Sequence, residues 1–166
     1  MLLYDLFSTR IGTLTVVKSG RGVCFIGLPS ATIAQVEAWA NRHFPGESLQ
    51  NARAPFVQER REFREYLDGQ RTTFSLLIDH RNTPFSTKVL EEVSHIPYGS
   101  TATYGAIARK VDHPRAARAV GRAVATNPLA LVIPCHRILG SDGSLTGFGG
   151  GLVLKQELLR LESREE

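Results

Sequence analysis

Cysteine is scarce in this chain, which has two among its 166 residues, Cys24 and Cys135. Two cysteines do not make the disulfide framework of a small secreted protein, and their scarcity fits a reducing compartment. The sequence has no Cys-x-x-Cys pair, and its five histidines are scattered along the chain. We therefore expect no metal site, and any covalent chemistry would depend on a single thiol and its neighbours.

Long hydrophobic runs are also missing. No apolar stretch approaches the roughly 20 residues that cross a bilayer. The start, Met1-Leu2-Leu3-Tyr4-Asp5, lacks the basic region and long apolar stretch of a secretory signal. The composition, 42% hydrophobic and 22% charged, is ordinary for a globular protein of one domain or two small lobes. We expect neither secretion nor a membrane partner.

Positive charge is in modest excess and is unevenly placed. The formal net charge is +4 and the pI is about 9.4, which is compatible with nucleic acid but shared by many proteins. Acidic residues gather in the 59–68 segment and at the C-terminus. The 109–122 segment has one acid and five basic residues: Arg109, Lys110, Arg115, Arg118 and Arg122. This asymmetry predicts a cationic surface in the second half of the chain.

The first half has the pattern of a small α+β lobe. Short strands are predicted around 14–16 and 23–26, with glycines marking the turns. Apolar residues at helical spacing predict a helix that Pro45-Gly46 ends, and a second helix over 56–67 with a solvated charged stretch at 58–62. A returning strand is predicted over 73–78. We interpret residues 1–78 as a scaffold lobe with a short antiparallel sheet.

The second half is predicted to be mostly helical. A polar stretch at 79–83 is interpreted as a linker, and residues 84–166 as a second domain. Thr103 is a good N-cap for a short helix over 104–110. A basic helix is predicted from Pro114 to Thr126, since proline suits the first helical position. Two short helices in tight succession, the second basic, predict a helix-turn-helix of the winged kind.

The motif Pro134-Cys135-His136-Arg137 carries the strongest chemical signal. It follows the apolar run 129–133, and we predict that it lies at the end of a strand. A thiolate is the nucleophilic form of cysteine, and an adjacent imidazole can create or stabilise it. The alternative is that Cys135 is a small buried hydrophobe, because unpaired cysteine is among the most buried residue types. Cys24, in a plain apolar segment, is interpreted as core filler.

Small side chains surround one arginine in the basic helix. Alanine is the best helix former, so such a helix can simply pack closely in a core. A helix without bulk can also approach a narrow surface such as a DNA minor groove, with Arg118 as its one long probe. The small residues beside it are Ala116, Ala117, Ala119 and Gly121. A helix that reads base edges in the major groove would carry larger side chains.

Taken together, these features resemble the O6-alkylguanine-DNA alkyltransferase family, also called methylated-DNA–protein-cysteine methyltransferases. The blocks of resemblance occur in the family's order and at its spacing over nearly all of the second half. They are Ile96-Pro97-Tyr98-Gly99, Tyr104-Gly105-Ala106-Ile107-Ala108, Ala117-Arg118-Ala119-Val120-Gly121, Asn127-Pro128, Ile133-Pro134-Cys135-His136-Arg137 and Gly147-Phe148-Gly149-Gly150-Gly151. The first lobe resembles the family only in outline.

This resemblance implies a DNA repair protein. Such a protein flips O6-alkylguanine, mainly O6-methylguanine, out of the duplex and irreversibly transfers the alkyl group to its own cysteine, once per molecule. The expected partner is double-stranded DNA that carries the lesion, and the damaged DNA is the alkyl donor, so no cofactor is expected. The expected location is the cytoplasm with access to chromosomal DNA. We expect a monomer in solution, with cooperative assembly on DNA left open.

The resemblance also assigns catalytic roles. Cys135 would accept the alkyl group, His136 would activate it through a water, and Glu162 would hold the far side of the imidazole, as in a generalised triad. Asn127 would tie the active-site turn together. Tyr104 would hydrogen-bond the extruded guanine and crowd the adjacent phosphate.

The remaining roles concern DNA and the base pocket. Arg118 would enter the duplex and fill the space of the flipped base, with the four small residues of its helix along the minor groove. Pro134, Phe148 and Gly149 would line the pocket. Many relatives carry tyrosine and serine where this chain has Phe148 and Gly149, so its hydrogen bonds to the base differ. No zinc ligands of the kind found in some relatives are recognisable.

Three other functions compete with this one. A non-catalytic module that binds alkylated DNA would share the architecture but usually has tryptophan in place of the cysteine. A helix-turn-helix regulator would treat Cys135 as incidental and would read the major groove, which the alanine-rich helix does not favour. A cysteine hydrolase would turn over esters or peptides and would leave the basic helix without a role.

Overall fold

The computed structural model describes residues 1–163, and the chain forms two compact units, one from Met1 to Arg81 and one from Asn82 onward. The first unit has a four-stranded sheet in the order β3-β2-β1-β4. Its strands are β1 (Leu2–Thr9), β2 (Gly12–Ser19), β3 (Gly22–Gly27) and β4 (Leu49–Asn51). The three long strands pair antiparallel, as predicted, whereas the short β4 runs parallel to β1.

Two helices complete the first unit, α1 (Ile33–His43) and α2 (Val57–Leu67). The helix α1 begins at a capping box, in which the Thr32 side chain accepts from the Gln35 backbone and the Gln35 side chain accepts from the Thr32 backbone. A core of mostly apolar residues joins α1 to the sheet: Leu2, Val17, Cys24, Val36, Ala40 and Phe44. The predicted role of Cys24 as core filler agrees with this position.

The prediction of a solvated charged stretch at 58–62 agrees with the exposure of Gln58 and Arg61 but was wrong for its two acids. Glu59 and Glu62 are buried. The carboxylate of Glu62 accepts hydrogen bonds from the backbone and the hydroxyl of Ser75, both at 2.7 Å, and from the Gln58 amide. Two of these partners belong to the 73–78 segment, so a buried acid of α2 holds that segment in place.

The predicted strand over 73–78 was also wrong. Ile78 forms a β-bridge with Val23, whose backbone N–H donates to the carbonyl of Leu77 at 2.8 Å, but no residue of 73–78 belongs to a strand. Asp79 lies next to it and is buried, where it accepts from the Ser19 hydroxyl and the Arg81 guanidinium. Asp79 is therefore anchored to the first unit, although the sequence placed it in a polar linker.

The second unit is mostly helical, as predicted. Its helices are α3 (Pro84–Ser94), α4 (Tyr104–Lys110), α5 (Ala117–Ala125) and α6 (Leu152–Glu162). The first three pack against one another, and α4 with α5 gives the helix-turn-helix. Two short strands, β5 (Ala102–Thr103) and β6 (Ile138–Leu139), pair in parallel beside it.

The bounds of the helix-turn-helix agree with the sequence in one helix and differ in the other. Thr103 caps α4 as predicted, since its side chain accepts from the backbone of Ala106. The helix α5 begins at Ala117 rather than at Pro114. The backbone of Ala116 instead donates to the carbonyl of His113 at 2.8 Å, so Pro114 lies in a turn between the helices.

The β2–β3 turn provides a test of the first unit. Gly22 has a φ of +147°, and a Cβ there would lie 2.5 Å from the carbonyl oxygen of Leu77. We expect Gly22→Ala to lower the free energy of unfolding by about 1–3 kcal/mol through backbone strain, with further loss from the clash. Urea denaturation of the purified protein measures this change.

Gly20→Ala is the matched control in the same turn, because a Cβ at Gly20 would have no atom within 4 Å. We expect it to stay within about 0.5 kcal/mol of the parent. Equal stabilities for the two variants would contradict the close approach of Leu77 to Gly22.

Candidate active site and DNA-binding surface

The motif around Cys135 forms one turn of 3₁₀-helix, Cys135–Arg137. Pro134 precedes the turn with a φ of −79°, and its carbonyl accepts from the backbone of Arg137 at 2.9 Å. The prediction of a strand end at this point was therefore wrong, because the chain coils here. The turn directs three consecutive side chains, all buried, into one region of the second unit.

The loop before this turn is held by Asn127. Its side-chain amide donates to the carbonyl of Ile133 at 3.0 Å, and its side-chain oxygen accepts from the backbone of Leu129 at 2.9 Å. Between them, buried Leu131 has a φ of +73°, a left-handed conformation that costs about 1–3 kcal/mol for such a residue. The two Asn127 bonds help to hold the strained loop that leads to Cys135.

His136 and Glu162 meet inside the second unit. The imidazole Nε2 lies 2.8 Å from Glu162 Oε2, and both side chains are at most 1% exposed. Glu162 is the last residue of α6, so the helix brings the carboxylate to the turn. An ionised carboxylate only accepts hydrogen bonds, which makes Nε2 the protonated nitrogen and leaves Nδ1 as the basic one.

Arg137 belongs to the Cys135 motif, although the family resemblance implied no role for it. Its Nε donates to Glu162 Oε1 at 2.7 Å and its Nη2 donates to Glu162 Oε2 at 2.8 Å. Its Nη1 donates to the carbonyl of Ile96 at 2.6 Å. His136 and Arg137 therefore converge on one carboxylate from adjacent positions in the chain.

Lys155 was missed altogether. It is fully buried, and its Nζ donates to the carbonyl of Thr146 at 2.7 Å. The signal was present in the sequence, since Lys155, Leu158 and Glu162 are spaced three and four residues apart and so share one face of α6. A lysine on the apolar face of a helix indicates either that its charged end reaches the solvent past a buried stem or that the charge itself is buried and acts on a neighbouring group.

The electrostatics of the site couple these groups. Burial raises the pKa of the Cys135 thiol, while a hydrogen bond from Asn127 and the positive charge of Lys155 act in the opposite direction. Burial lowers the pKa of His136, and Glu162 opposes that change. Burial also lowers the pKa of Lys155, opposed by the Cys135 charge. The resting pair is therefore a neutral thiol and a neutral imidazole that can accept its proton.

Cys24 has none of these partners. Burial raises the pKa of its thiol to about 12, and the thiol lies 3.5 Å from the carbonyl of Val17. The charged groups that act on this thiol are Asp79 and Arg81, neither of which can take its proton as an imidazole can, so Cys24 is poorly suited to form the reactive thiolate.

The predicted DNA-contacting residues lie on and beside α5. Arg118 and Ala117 are exposed, and Ala116, Ala119 and Gly121 are partly exposed. Tyr104 begins α4, and a Cβ at Gly121 would lie 4.0 Å from its ring. The remaining predicted basic side chains are also exposed: Arg109, Lys110, Arg115 and Arg122. This unit therefore presents small side chains and positive charge on one helix pair.

Of the predicted pocket residues, one adjoins the turn and two lie in the loop before α6. Pro134 is buried directly before Cys135, whereas Phe148 is half-buried and Gly149 exposed in the loop that leads to α6. The backbone of Gly151 donates to the carbonyl of Phe148 at 2.9 Å. Because Lys155 holds the carbonyl of Thr146, a buried residue of α6 anchors this loop.

Within residues 1–163, no group of three or more His, Cys, Asp or Glu side chains is arranged to hold a metal ion. No helix in the same range has the length and apolar character needed to span a membrane.

The fold and the site define a class of protein, in which a DNA-binding helix-turn-helix unit carries a buried cysteine beside a histidine–carboxylate pair. The chain belongs to the 6-O-methylguanine DNA methyltransferase family. The model of the family's DNA-binding domain matches residues 84–164, and the model of its ribonuclease-like domain matches residues 2–80.

Individual relatives agree with the family models. The chain is 34% identical to an inducible methylated-DNA–protein-cysteine methyltransferase of Bacillus subtilis, over 98% of this chain and 91% of the relative. It is 35% identical to the Haemophilus influenzae methyltransferase, over 97% and 86%. A crystal structure of Mycobacterium tuberculosis OGT in complex with DNA matches with a TM-score of 0.85 and 33% identity, over 97% of this chain and 92% of that one.

Lys155 gives a test of the electrostatics. Lys155→Met keeps the length and most of the volume of the side chain but removes the charge that favours the Cys135 thiolate. We expect alkylation of Cys135 by iodoacetamide at pH 7 to slow by about tenfold, with the midpoint of its pH profile moved upward. Mass spectrometry of the Cys135 peptide follows the reaction.

The control is Lys110→Met, at the exposed end of α4. It removes the same charge from the second unit and should leave the profile unchanged. A pH profile that is the same in Lys155→Met and the parent would refute the proposed influence of Lys155 on the thiol.

Proposed function

We propose that this protein repairs DNA by transferring the alkyl group of O6-alkylguanine to the Sγ atom of Cys135. Membership of the family supports alkyl transfer from DNA to a cysteine. The observation that carries the residue assignment is the buried turn that places Cys135 next to His136, with Glu162 on the far side of the imidazole. Cys24 has no comparable partners, which favours Cys135 as the acceptor.

The transfer is a displacement at a saturated carbon. The thiol gives its proton to His136, through a bridging water, as Sγ attacks the alkyl carbon on guanine O6. The carbon–sulfur bond forms as the carbon–oxygen bond breaks, and the oxygen leaves with the electron pair. Glu162 stabilises the imidazolium during this step. Lys155 stabilises the thiolate, so two buried groups share the task of charging the sulfur.

The leaving guanine oxyanion takes up a proton and remains as normal guanine. Tyr104, at the start of α4, donates to the base and lowers the barrier by stabilising the developing charge. Proton-transfer help of this kind contributes about 100- to 10,000-fold in rate. The product at Cys135 is a thioether that water does not cleave, so each molecule acts once, and neither a cofactor nor a metal takes part.

Base flipping brings the lesion to the site. The alkyl carbon lies within a stacked duplex and Cys135 is only 7% exposed, so the nucleotide must leave the stack. Flipping costs a few kcal/mol, and a side chain that fills the vacancy offsets part of that cost. Arg118 is exposed on a helix of small residues and takes this role, while Ala116, Ala117, Ala119 and Gly121 lie along the minor groove.

The base pocket lies between the turn and the loop before α6. Pro134 supports the base from the buried side, and Phe148 with Gly149 covers it from the loop. Since neither Phe148 nor Gly149 has a side-chain hydroxyl, the base is held by backbone groups and Tyr104. Asn127 keeps the strained approach to Cys135 in place, and its bonds to Leu129 and Ile133 support this role.

The partner is double-stranded DNA carrying the lesion, as the related OGT–DNA complex supports. We propose that the protein acts as a monomer in the cytoplasm, with access to chromosomal DNA. The non-catalytic alternative is disfavoured because Cys135 is present with its His136–Glu162 pair.

The acceptor assignment has a direct test. Incubation with duplex DNA carrying O6-methylguanine should add the mass of one methyl group to the peptide that contains Cys135. Cys135→Ala should abolish the transfer, because no other thiol in the chain is activated. Intact-protein mass spectrometry and peptide mapping measure both outcomes.

Cys24→Ala is the matched control and should transfer one methyl group per molecule, as the parent does. Transfer that persists in Cys135→Ala would refute the acceptor. More than one methyl transfer per molecule would refute the prediction that the thioether at Cys135 is permanent.

The role of Arg118 is tested by comparing two substrates. Arg118→Ala should slow transfer from duplex DNA by at least about tenfold, since the vacancy left by the flipped base is unfilled. Transfer from the free base O6-benzylguanine, which needs no flipping, should be unchanged. Quench-flow kinetics of both reactions give the comparison.

Arg122→Ala serves as the control because Arg122 is also exposed on α5. We expect it to weaken DNA binding in a salt-dependent way without changing the rate once the DNA is saturating. If both variants lost the same fraction of the transfer rate at saturating DNA, Arg118 would have no special role in filling the space of the flipped base.

A further inference from the structure

Glu162 receives two different kinds of partner at one carboxylate. Arg137 donates to both oxygens, at 2.7 and 2.8 Å, and His136 shares Oε2 at 2.8 Å. All three side chains are at most 8% exposed. Because a guanidinium can only donate, the two bonds from Arg137 select the ionised carboxylate, which has no proton to give.

Arg137 is itself fixed from other directions. Its Nη1 donates to the carbonyl of Ile96 at 2.6 Å, after the end of α3, and its guanidinium lies 5.6 Å from the ring centroid of Tyr98. The planar guanidinium therefore cannot rotate without losing several contacts. Because a bidentate pair sets the orientation as well as the charge of a carboxylate, the direction of Oε2 toward His136 is set by Arg137.

We infer that Arg137 is a positioning residue of the transfer reaction, which aligns and neutralises Glu162 so that His136 rests uncharged with Nδ1 as its basic nitrogen. The inference rests on the proposed function, in which His136 receives the thiol proton. An imidazole that already carries a proton on both nitrogens cannot accept another, so the resting state of the ring decides whether the relay works.

The charges around His136 support this balance. Glu162 and Lys155 face it from α6, and Cys135 and Arg137 flank it in the turn. Glu162 alone would favour the imidazolium, whereas Arg137 and Lys155 disfavour it, in the same direction as burial. Arg137 differs from Lys155 in that it bonds the carboxylate directly. It thus keeps the hydrogen bond from His136 while offsetting part of the negative charge behind it.

The test measures the protonation of the His136 ring rather than the rate of methyl transfer. In a Cys135→Ser background, which removes the coupled titration of the thiol, NMR of imidazole ¹⁵N and ¹³C nuclei gives the pKa and the tautomer of His136. With Arg137→Gln we expect the protonated fraction at pH 7 to rise by about tenfold. In the neutral form, protonation at Nδ1 should become detectable. An unchanged titration and an unchanged tautomer in folded Arg137→Gln protein would overturn the inference.

Two further variants separate this role from simple stabilisation. Arg160→Gln removes one positive charge from the exposed face of α6 and should leave the ring unchanged. Arg137→Lys keeps the charge but lacks the planar guanidinium that bonds both carboxylate oxygens. We expect His136 to titrate close to its pH in the parent, but with protonation at Nδ1 detectable, as in Arg137→Gln. If Arg137→Gln fails to fold, an unchanged tautomer in Arg137→Lys overturns the inference on its own.

These measurements need no DNA and no transfer, so their failure is distinct from failure of the proposed function. With Cys135 intact, Arg137→Lys should slow methyl transfer by about tenfold at saturating DNA while DNA affinity stays unchanged. A wild-type transfer rate in that variant would also overturn the inference, while the methyl mass on Cys135 would stand.

Discussion

The active site depends on one buried carboxylate. Glu162 ends α6 and accepts from His136 and Arg137, two consecutive residues of the 3₁₀ turn. Removal of one member of such a buried network leaves the others uncompensated, which is costly in a low-dielectric interior. The turn that carries Cys135 is consequently fixed to α6 by charge as well as by packing, and the reactive sulfur inherits that rigidity.

Burial and reactivity oppose each other at Cys135, and the arrangement resolves the conflict. Removal from water disfavours the thiolate, yet an exposed thiol could not be surrounded by fixed dipoles. A hydrogen bond from Asn127 and the charge of Lys155 offset part of this loss by stabilising the thiolate. Each also has a mechanical task, since Asn127 braces the strained loop and Lys155 anchors the loop before α6. The same side chains thus set both the electrostatics and the shape of the site.

Much of this arrangement was predictable from local pattern. The Thr103 cap and the mostly antiparallel sheet follow from short-range signals of capping, turns and strand-like alternation. Failures came where tertiary contacts decide. The 73–78 segment has strand-like residues, but Ser75 bonds to the buried Glu62, and only the end of the segment, at Leu77 and Ile78, pairs with β3. Pro114 suits a helix start, yet a turn at His113 delays α5 to Ala117.

The site was predicted in part for similar reasons. Cys135 and His136 are adjacent and could be recognised together, whereas Arg137 and Lys155 act through partners that are distant in the chain. A buried lysine is unusual enough that its position on the apolar face of α6 was a usable signal. The fork from Arg137 to Glu162 spans 25 residues, and only the folded chain shows that the two side chains meet.

The low exposure of Cys135 affects how long an unreacted molecule stays usable. A protein that can be used once is wasted whenever a stray electrophile or oxidant reaches its acceptor first. With Cys135 enclosed and mostly protonated at rest, soluble reagents find little thiolate to attack. On the proposed mechanism, only a lesion held at Cys135 meets the sulfur as it loses its proton to His136. Selectivity for the lesion therefore doubles as preservation of the unspent protein.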